Sequence, residues 1–168
     1  MKSKNDIIEL IVGIEFIQKV CEEIVAVINE RTTLYLKEQQ YYLLENIAVN
    51  LCHFYEAVED IFTRIARVVD GRLPSGRNFH QALLEQMLSD SVKTRIPVIS
   101  RGLFDIIEEY KNFRHAAYKN YRIKYDWNKM SNISTNAKST LNILNRDLKN
   151  FKVFLLALIE PNENSTSD

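Results

Sequence analysis

The chain has 168 residues, 46% of them hydrophobic, and its 22 basic residues balance its 22 acidic ones. The length suits one domain with a real core, and the zero net charge argues against a generic nucleic-acid coat protein. No apolar run approaches the roughly 18 residues that a membrane-spanning helix needs, so no membrane partner is expected.

The two cysteines, Cys21 and Cys52, lie inside apolar helical patterns and are typical of buried thiols in a reducing compartment. Asp6 and Glu9 interrupt the apolar N-terminus, which argues against a signal peptide. We therefore expect a cytoplasmic protein. Three scattered histidines and two buried cysteines lack the spacing of metal ligands, so we expect no metal and no cofactor.

The first half of the chain predicts two long helices. The first is capped by Asn5 or Asp6 and ends near Arg31, and the second runs from about Thr33 to Asp70 before a stop at Gly71. Apolar residues recur at alternating spacings of four and three in both, which is typical of helices packed side by side. These residues are Leu10, Ile14, Ile17, Cys21, Ile24 and Ile28, then Leu44, Ile47, Leu51, Phe54, Val58, Ile61, Ile65 and Val68.

The second half predicts a short helix at about Asn78 to Ser89 and a longer one that Ser100 caps. A break near Lys124 to Lys129 follows, and Ser131 or Ser134 opens the last helix. The apolar spacing continues in both long helices, at Leu103, Ile107, Tyr110, Ala117 and Tyr121, then at Ala137, Leu141, Leu144, Leu148, Phe151, Leu155 and Leu158.

No segment alternates with a period of two over a useful length, so no sheet is expected. The four apolar seams and the short connections predict an all-α fold, an antiparallel four-helix bundle with a short extra helix. Residues 1–160 form the single predicted domain, and residues 161–168 form a disordered polar tail.

The segment from Tyr110 to Tyr125 is the candidate functional element. It holds five Lys or Arg, one His and five aromatic residues, with no Asp or Glu. Positive charge interleaved with aromatic faces suits a phosphate backbone and unstacked bases. The alternative is a helix with a solvated basic face and a Tyr/Phe core face. The predicted RNA-binding side chains are Lys111, Tyr118, Arg122 and Lys124.

On a helix with about 100° per residue, Arg114, Tyr118 and Tyr121 share one face, and His115 and Lys119 occupy the adjacent stripe. Arg114 and Lys119 then lie about 140° apart around the helix. They converge on one phosphate only if the helix bends or if a second subunit supplies one of them.

The same segment resembles the HEPN superfamily, in particular toxins of the HepT type from prokaryotic toxin–antitoxin modules. That family's motif is an Arg, a polar residue after it, a His four to six residues past the Arg, and a Tyr two residues past the His. Arg114, His115 and Tyr121 match, whereas Lys119 stands where the His is expected. The stretch from Asn46 to Met87, and that from Phe113 to Met130, are also similar to HepT-like sequences.

The resemblance implies a metal-independent endoribonuclease toxin of a type II/VII-like toxin–antitoxin module. It also implies a homodimer whose motif helices face each other across the two-fold axis. The partner that neutralises the toxin would be a minimal nucleotidyltransferase antitoxin. In the family that antitoxin modifies the motif Tyr with AMP, so Tyr121 is the modification candidate.

The catalytic residues implied are Arg114, His115, Lys119 and Tyr121. Arg114 suits the cation that stabilises the transition state, because a guanidinium contacts two phosphate oxygens at once. A lysine is a poorer base than an imidazole near neutral pH, so His115 is the nearest substitute, although neighbours on a helix diverge. Lys119 therefore favours an alternative: a catalytically weakened HEPN binding module that partners a minimal nucleotidyltransferase.

For the remaining polar and aromatic residues, the sequence gives less support for a functional role. His80, at the start of the short helix, is expected to cap or to pack, and His53 is expected in or near the core. Trp127 is expected to anchor a loop by packing. Four arginines around the end of the second helix either extend an RNA track or are solvated surface: Arg64, Arg67, Arg72 and Arg77.

Overall fold

The computed structural model describes residues 3–89, 95–119 and 124–160, and helices are the only regular secondary structure there. This confirms the predicted all-α class. The predicted polar tail at 161–168 lies outside the described residues. The helices are α1 (Lys4–Glu38), α2 (Tyr41–Ile65), α3 (Phe79–Leu88), α4 (Arg101–Lys119), α5 (Trp127–Thr135) and α6 (Ala137–Ala157).

The boundary between the first two helices differs from the prediction. Instead of ending near Arg31, α1 continues to Glu38, and the chain turns at Gln39, which has a left-handed backbone with φ 55°. The N–H of Gln39 donates to the carbonyl of Tyr35 at 2.8 Å, which closes the last turn of α1. The predicted boundary was wrong because neither Gly nor Pro marks this turn, and the polar run around it resembles helix surface.

The start of α1 also differs in detail. Ser3, and not Asn5 or Asp6, is the N-cap residue, and its hydroxyl accepts the N–H of Asp6 at 3.1 Å. The Asp6 carboxylate accepts the N–H of Ser3 at 2.9 Å in return. This reciprocal capping box gives Asp6 a capping role from the third helical position.

Helix α2 ends as predicted. A π-helical turn, Ala66–Asp70, extends it to Gly71, whose φ of 68° lies in the left-handed region that suits glycine. The short helix α3 lies within one residue of its predicted bounds at both ends.

The last helical region begins earlier than predicted. Asp126 caps α5, since its carboxylate accepts the N–H of Asn128 at 3.0 Å, so neither Ser131 nor Ser134 starts this helix. Ser134 is buried instead and donates its hydroxyl to the carbonyl of Met130. An interruption at Asn136 separates α5 from α6, and the two helices together take the place of the predicted last helix.

The long helices pack as a bundle. Helices α1 and α2 form a hairpin across a two-residue turn, and α6 lies antiparallel to α1, where Gln18 bonds Asn145 at 2.7 Å and Glu15 pairs with Lys152 at 3.0 Å. Helix α2 packs against α1, α3, α4 and α5, so it is central to the described part. Phe54 of α2 meets Tyr110 of α4 with ring centres 5.1 Å apart.

Most of the predicted seam residues are buried in one continuous core. The exceptions stand at the seam ends: Val68 and Ala117 are half-buried, and Leu158 is exposed. Ile24 is also half-buried. Tyr121 lies outside the described residues.

A buried ion pair, which the sequence did not indicate, fastens the end of α2 to the segment after α3. Arg95 Nε donates to Asp70 Oδ1 at 2.6 Å, and both side chains are 0% exposed. The same guanidinium donates to the carbonyl of Gln86 at 2.7 Å and to that of Ile96 at 3.0 Å. These bonds compensate for the removal of the two charges from water.

We expect Asp70→Asn to lower the free energy of unfolding by about 3–5 kcal/mol, because it leaves the Arg95 charge buried without a countercharge. The matched control is Asp60→Asn, since Asp60 pairs with Arg64 at 3.2 Å where both side chains are about half exposed. Asp60→Asn should lower the free energy of unfolding by about 1 kcal/mol or less. Urea unfolding of the three proteins measures this, and equal losses in the two variants would contradict it.

Candidate functional site

One carboxylate on α2 joins two side chains of α4. Glu56 Oε1 accepts a hydrogen bond from Arg114 Nε at 3.1 Å and one from the Tyr118 hydroxyl at 3.0 Å. Arg114 and Tyr118 are four residues apart and therefore lie on one face of α4, as predicted. Glu56 holds both at the surface between the two helices.

Two aromatic rings flank the same guanidinium. The central carbon of Arg114 lies 4.9 Å from the ring centre of Tyr118 and 5.8 Å from that of Tyr55. The Arg114 side chain is 24% exposed, so its position is restricted by these contacts but a ligand can still reach it. Among the described residues, its hydrogen bond is made through Nε alone, which leaves the two terminal nitrogens as donors for a ligand.

The carboxylate changes the acid–base properties of its neighbours. Partial burial works to lower the pKa of Arg114, but the hydrogen bond and charge of Glu56, together with the charge of Glu59, raise it above the usual value. The hydrogen bond to Glu56 is also the main reason why the pKa of Tyr118 is raised. Burial, with the charge of Glu56, raises the pKa of Cys52 to about 11. The guanidinium thus stays charged and the phenol stays protonated.

A second carboxylate lies one turn further along α2. Glu59 Oε2 accepts the Tyr55 hydroxyl at 2.9 Å and also bonds Nδ1 of His80, the second residue of α3. The rings of His80 and Tyr55 have their centres 6.4 Å apart. Burial, reinforced by Glu59, raises the pKa of Tyr55. The two carboxylates, the two tyrosines, Arg114 and His80 thus form one connected group, which we term the α2–α4 cluster.

The other basic side chains of the predicted site lie outside this cluster. Lys111 is largely buried, bonds Gln81 of α3 and lies 3.7 Å from Glu108. His115, Lys119 and Lys124 are exposed, and no described contact joins Lys119 to Arg114. Tyr121 and Arg122 lie outside the described residues.

The weaker candidates have mixed outcomes. The expectation for His53 was wrong, because its side chain is exposed on α2. His80 packs against Phe79, as expected, but it also joins the cluster through Glu59. Trp127 is a packing anchor, as expected, with its ring 5.0 Å from that of Tyr35.

Two of the four arginines near the end of α2 lie beside acidic side chains. Arg64 pairs with Asp60, and Arg64 and Arg67 line a shallow groove with Asp6 and Glu9 of α1. These acidic neighbours would weaken the attraction of the groove for a phosphate backbone.

Two further observations bear on the type of site. Within the described residues, no group of three or more His, Cys, Asp or Glu side chains could hold a metal ion. No helix of that part is long and apolar enough to cross a bilayer.

Comparison with known proteins identifies a family. A family model described as HepT-like protein matches residues 46–155, which include every member of the α2–α4 cluster. No curated protein and no solved structure shows a significant match to the chain.

We expect Glu56→Gln to lower the pKa of Tyr118 towards about 10, the usual value for tyrosine, because the hydrogen-bonded charge is removed. Since the folded-state pKa is raised, the contact stabilises the folded protein fully below about pH 10 and is lost as the pH rises through that pKa. Ultraviolet titration, with Tyr118→Phe subtracted to isolate this phenol, measures the shift. An unchanged Tyr118 titration in Glu56→Gln would contradict the contact.

Proposed function

This chain belongs to the family of HepT-like proteins, and we propose that it acts in the cytoplasm as a metal-independent endoribonuclease toxin of a toxin–antitoxin module. Its partners in this proposal are RNA, a second copy of itself and a minimal nucleotidyltransferase antitoxin. Arg114, the motif arginine, is the residue that contacts the phosphate.

The main support for this proposal is that contacts within the protein fix the orientation of the Arg114 guanidinium. Glu56 binds the guanidinium through Nε, and Tyr55 and Tyr118 flank it, so its orientation is fixed before RNA arrives. The terminal nitrogens can then donate to two oxygens of one phosphate. A donor that is already oriented stabilises developing charge without a further reorganisation cost.

The remaining members of the proposed site come from the family motif and from the basic segment. Lys119 is exposed at the last residue of α4, where an ammonium group can add a second positive charge to the bound phosphate. Because Lys119 and Arg114 diverge around the helix, we propose that a dimer supplies one of them from each copy. Tyr118 and His115 are exposed on the same helix, Lys124 is exposed after it in the chain, and we propose that all three contact the rest of the strand.

A second candidate function has support of its own. Lys119 replaces the motif histidine, and the Glu56 carboxylate is a countercharge beside Arg114. Together these suit a binding module that partners the nucleotidyltransferase without cleaving RNA. In that case Tyr121 would serve as the acceptor of AMP. Lys119→His separates the candidates: if a harmless wild type becomes toxic with this change, the natural protein is the binding module.

We expect Arg114→Ala to reduce RNA cleavage by a factor of about 10² or more, because one donor to the transition state is lost. The matched control is Arg101→Ala, since Arg101 lies on the same helix, is exposed and pairs with Asp105 at 3.1 Å. The control should retain cleavage, because Arg101 lies about 20 Å from Arg114 along the helix at 1.5 Å per residue.

The measurement is growth of a bacterial host that expresses each protein, with RNA integrity followed in the same cultures. Toxicity that persists in Arg114→Ala would exclude the proposed role of this guanidinium. A wild type that neither slows growth nor cuts RNA would overturn the ribonuclease proposal itself.

A further inference from the structure

We propose that His80 is the general base of this ribonuclease and that Glu59 is the residue that positions it. The inference rests on the proposed ribonuclease function, and it supplies the base that the family motif lacks in this chain. The proposed base thus lies at the start of α3 and not on α4, where the family motif places its histidine.

The first turn of α3 lies between the two helices that build the cluster. His80 bonds Glu59 on α2, while the next residue, Gln81, bonds Lys111 on α4. Lys111 stands three residues before Arg114, so the contact with Gln81 brings α3 to the part of α4 that carries the arginine. The His80 side chain is 39% exposed, so RNA can reach it.

The contact with Glu59 determines which imidazole nitrogen is free. An ionised carboxylate only accepts hydrogen bonds, so Nδ1 of a neutral His80 must carry the proton. Nε2 then keeps its lone pair and is able to take a proton from a substrate. Tyr55 donates to the same carboxylate oxygen, which fixes Glu59 in turn.

Tyr55 brings the base and the cation to one location. Its ring centre lies 6.4 Å from that of His80 and 5.8 Å from the guanidinium carbon of Arg114. A ribose 2′-hydroxyl and the phosphate on the adjacent 3′-oxygen are neighbours in RNA, so a base and a cation beside one tyrosine can act on the same nucleotide. The titratable groups that contact His80 are Glu59 and Tyr55 of α2. Lys111 and Arg114 of α4 are connected to them through Gln81 and through Tyr55.

The chain has two other histidines, and neither has a comparable setting. His115 is exposed on α4 beside Arg114 in sequence, and no described carboxylate fixes its ring. His53 is exposed on α2 and makes no described contact with the cluster. Only for His80 does the described structure show the pairing of imidazole, carboxylate and nearby cation that transfer of a proton to a fixed base requires.

The reaction consumes no co-reactant, and its protons are exchanged with the solvent. Nε2 of His80 accepts the proton of the 2′-hydroxyl while the 2′-oxygen forms a bond to phosphorus. The bond between phosphorus and the 5′-oxygen breaks, and that oxygen takes a proton from solvent. The products are a 2′,3′-cyclic phosphate and a 5′-hydroxyl, and the imidazolium returns its proton to solvent. Arg114 stabilises the negative charge of the phosphorane-like transition state.

The test compares the three single variants His53→Ala, His80→Ala and His115→Ala in cleavage of a short RNA by the purified protein. His80→Ala should reduce kcat by about 10² or more, with KM little changed, whereas the control His53→Ala should keep most of its activity. His115→Ala, which removes a contact with the strand, should raise KM more than it lowers kcat. Added imidazole should restore part of the His80→Ala rate, which loss of a merely structural contact would not allow. Circular dichroism and RNA binding show whether each variant is folded.

Glu59→Gln gives an independent readout of positioning. It should reduce kcat by about tenfold or more, because an amide holds the imidazole less well in the productive tautomer. In nitrogen NMR the wild-type His80 should show the Nδ1–H tautomer, and this preference should weaken in Glu59→Gln. A wild-type His80 with the proton on Nε2 would overturn the proposed positioning.

The outcomes separate the two proposals. Full activity in His80→Ala, or a loss of kcat in His115→Ala alone, would overturn the role of His80 while leaving the ribonuclease function in place. A reduced His80→Ala rate that imidazole leaves unchanged would also count against the role. A wild-type protein that cuts no RNA would remove the ribonuclease function, and the inference would fall with it.

Discussion

The contact between Glu56 and Arg114 is the interaction on which the candidate site depends. It joins α2, the helix that packs against four others, to the helix that carries the basic segment. A free arginine side chain has many rotamers in water, and a substrate that binds it must restrict them at a cost in conformational entropy. Glu56 imposes that restriction in the folded protein, while leaving terminal donors of the guanidinium for a phosphate.

The second carboxylate, Glu59, extends this principle to an imidazole. Glu56 and Glu59 are three residues apart, so they lie on the same side of α2 and each fixes one functional side chain from another helix. Tyr55 connects the two units, since its hydroxyl bonds Glu59 and its ring contacts Arg114. A single turn of the central helix thus determines the positions of both the cation and the base in the proposed reaction.

The sequence predicted the fold class and most of the core, because the spacing of apolar residues fixes which side of each helix is buried. It missed the turn at Gln39, which lacks a breaker residue, and the buried Arg95–Asp70 pair, whose partners are 25 positions apart. It predicted that Arg114 and Tyr118 share one face of α4, but not their contacts with Glu56, nor the bond between Glu59 and His80. Such contacts join different helices, and the only sequence signal for them is the presence of Glu56 and Glu59 amid the apolar pattern of α2.

The most direct test of this arrangement of Arg114 is NMR of its side chain during titration with a dinucleotide whose 2′-hydroxyl is absent, so that it binds without cleavage. We expect the terminal N–H signals of Arg114 to shift as the phosphate binds. The Nε–H signal should remain that of a proton bonded to Glu56. Terminal signals that do not respond, or an Nε–H that leaves Glu56 for the phosphate, would contradict the claim that the carboxylate orients this arginine for its ligand.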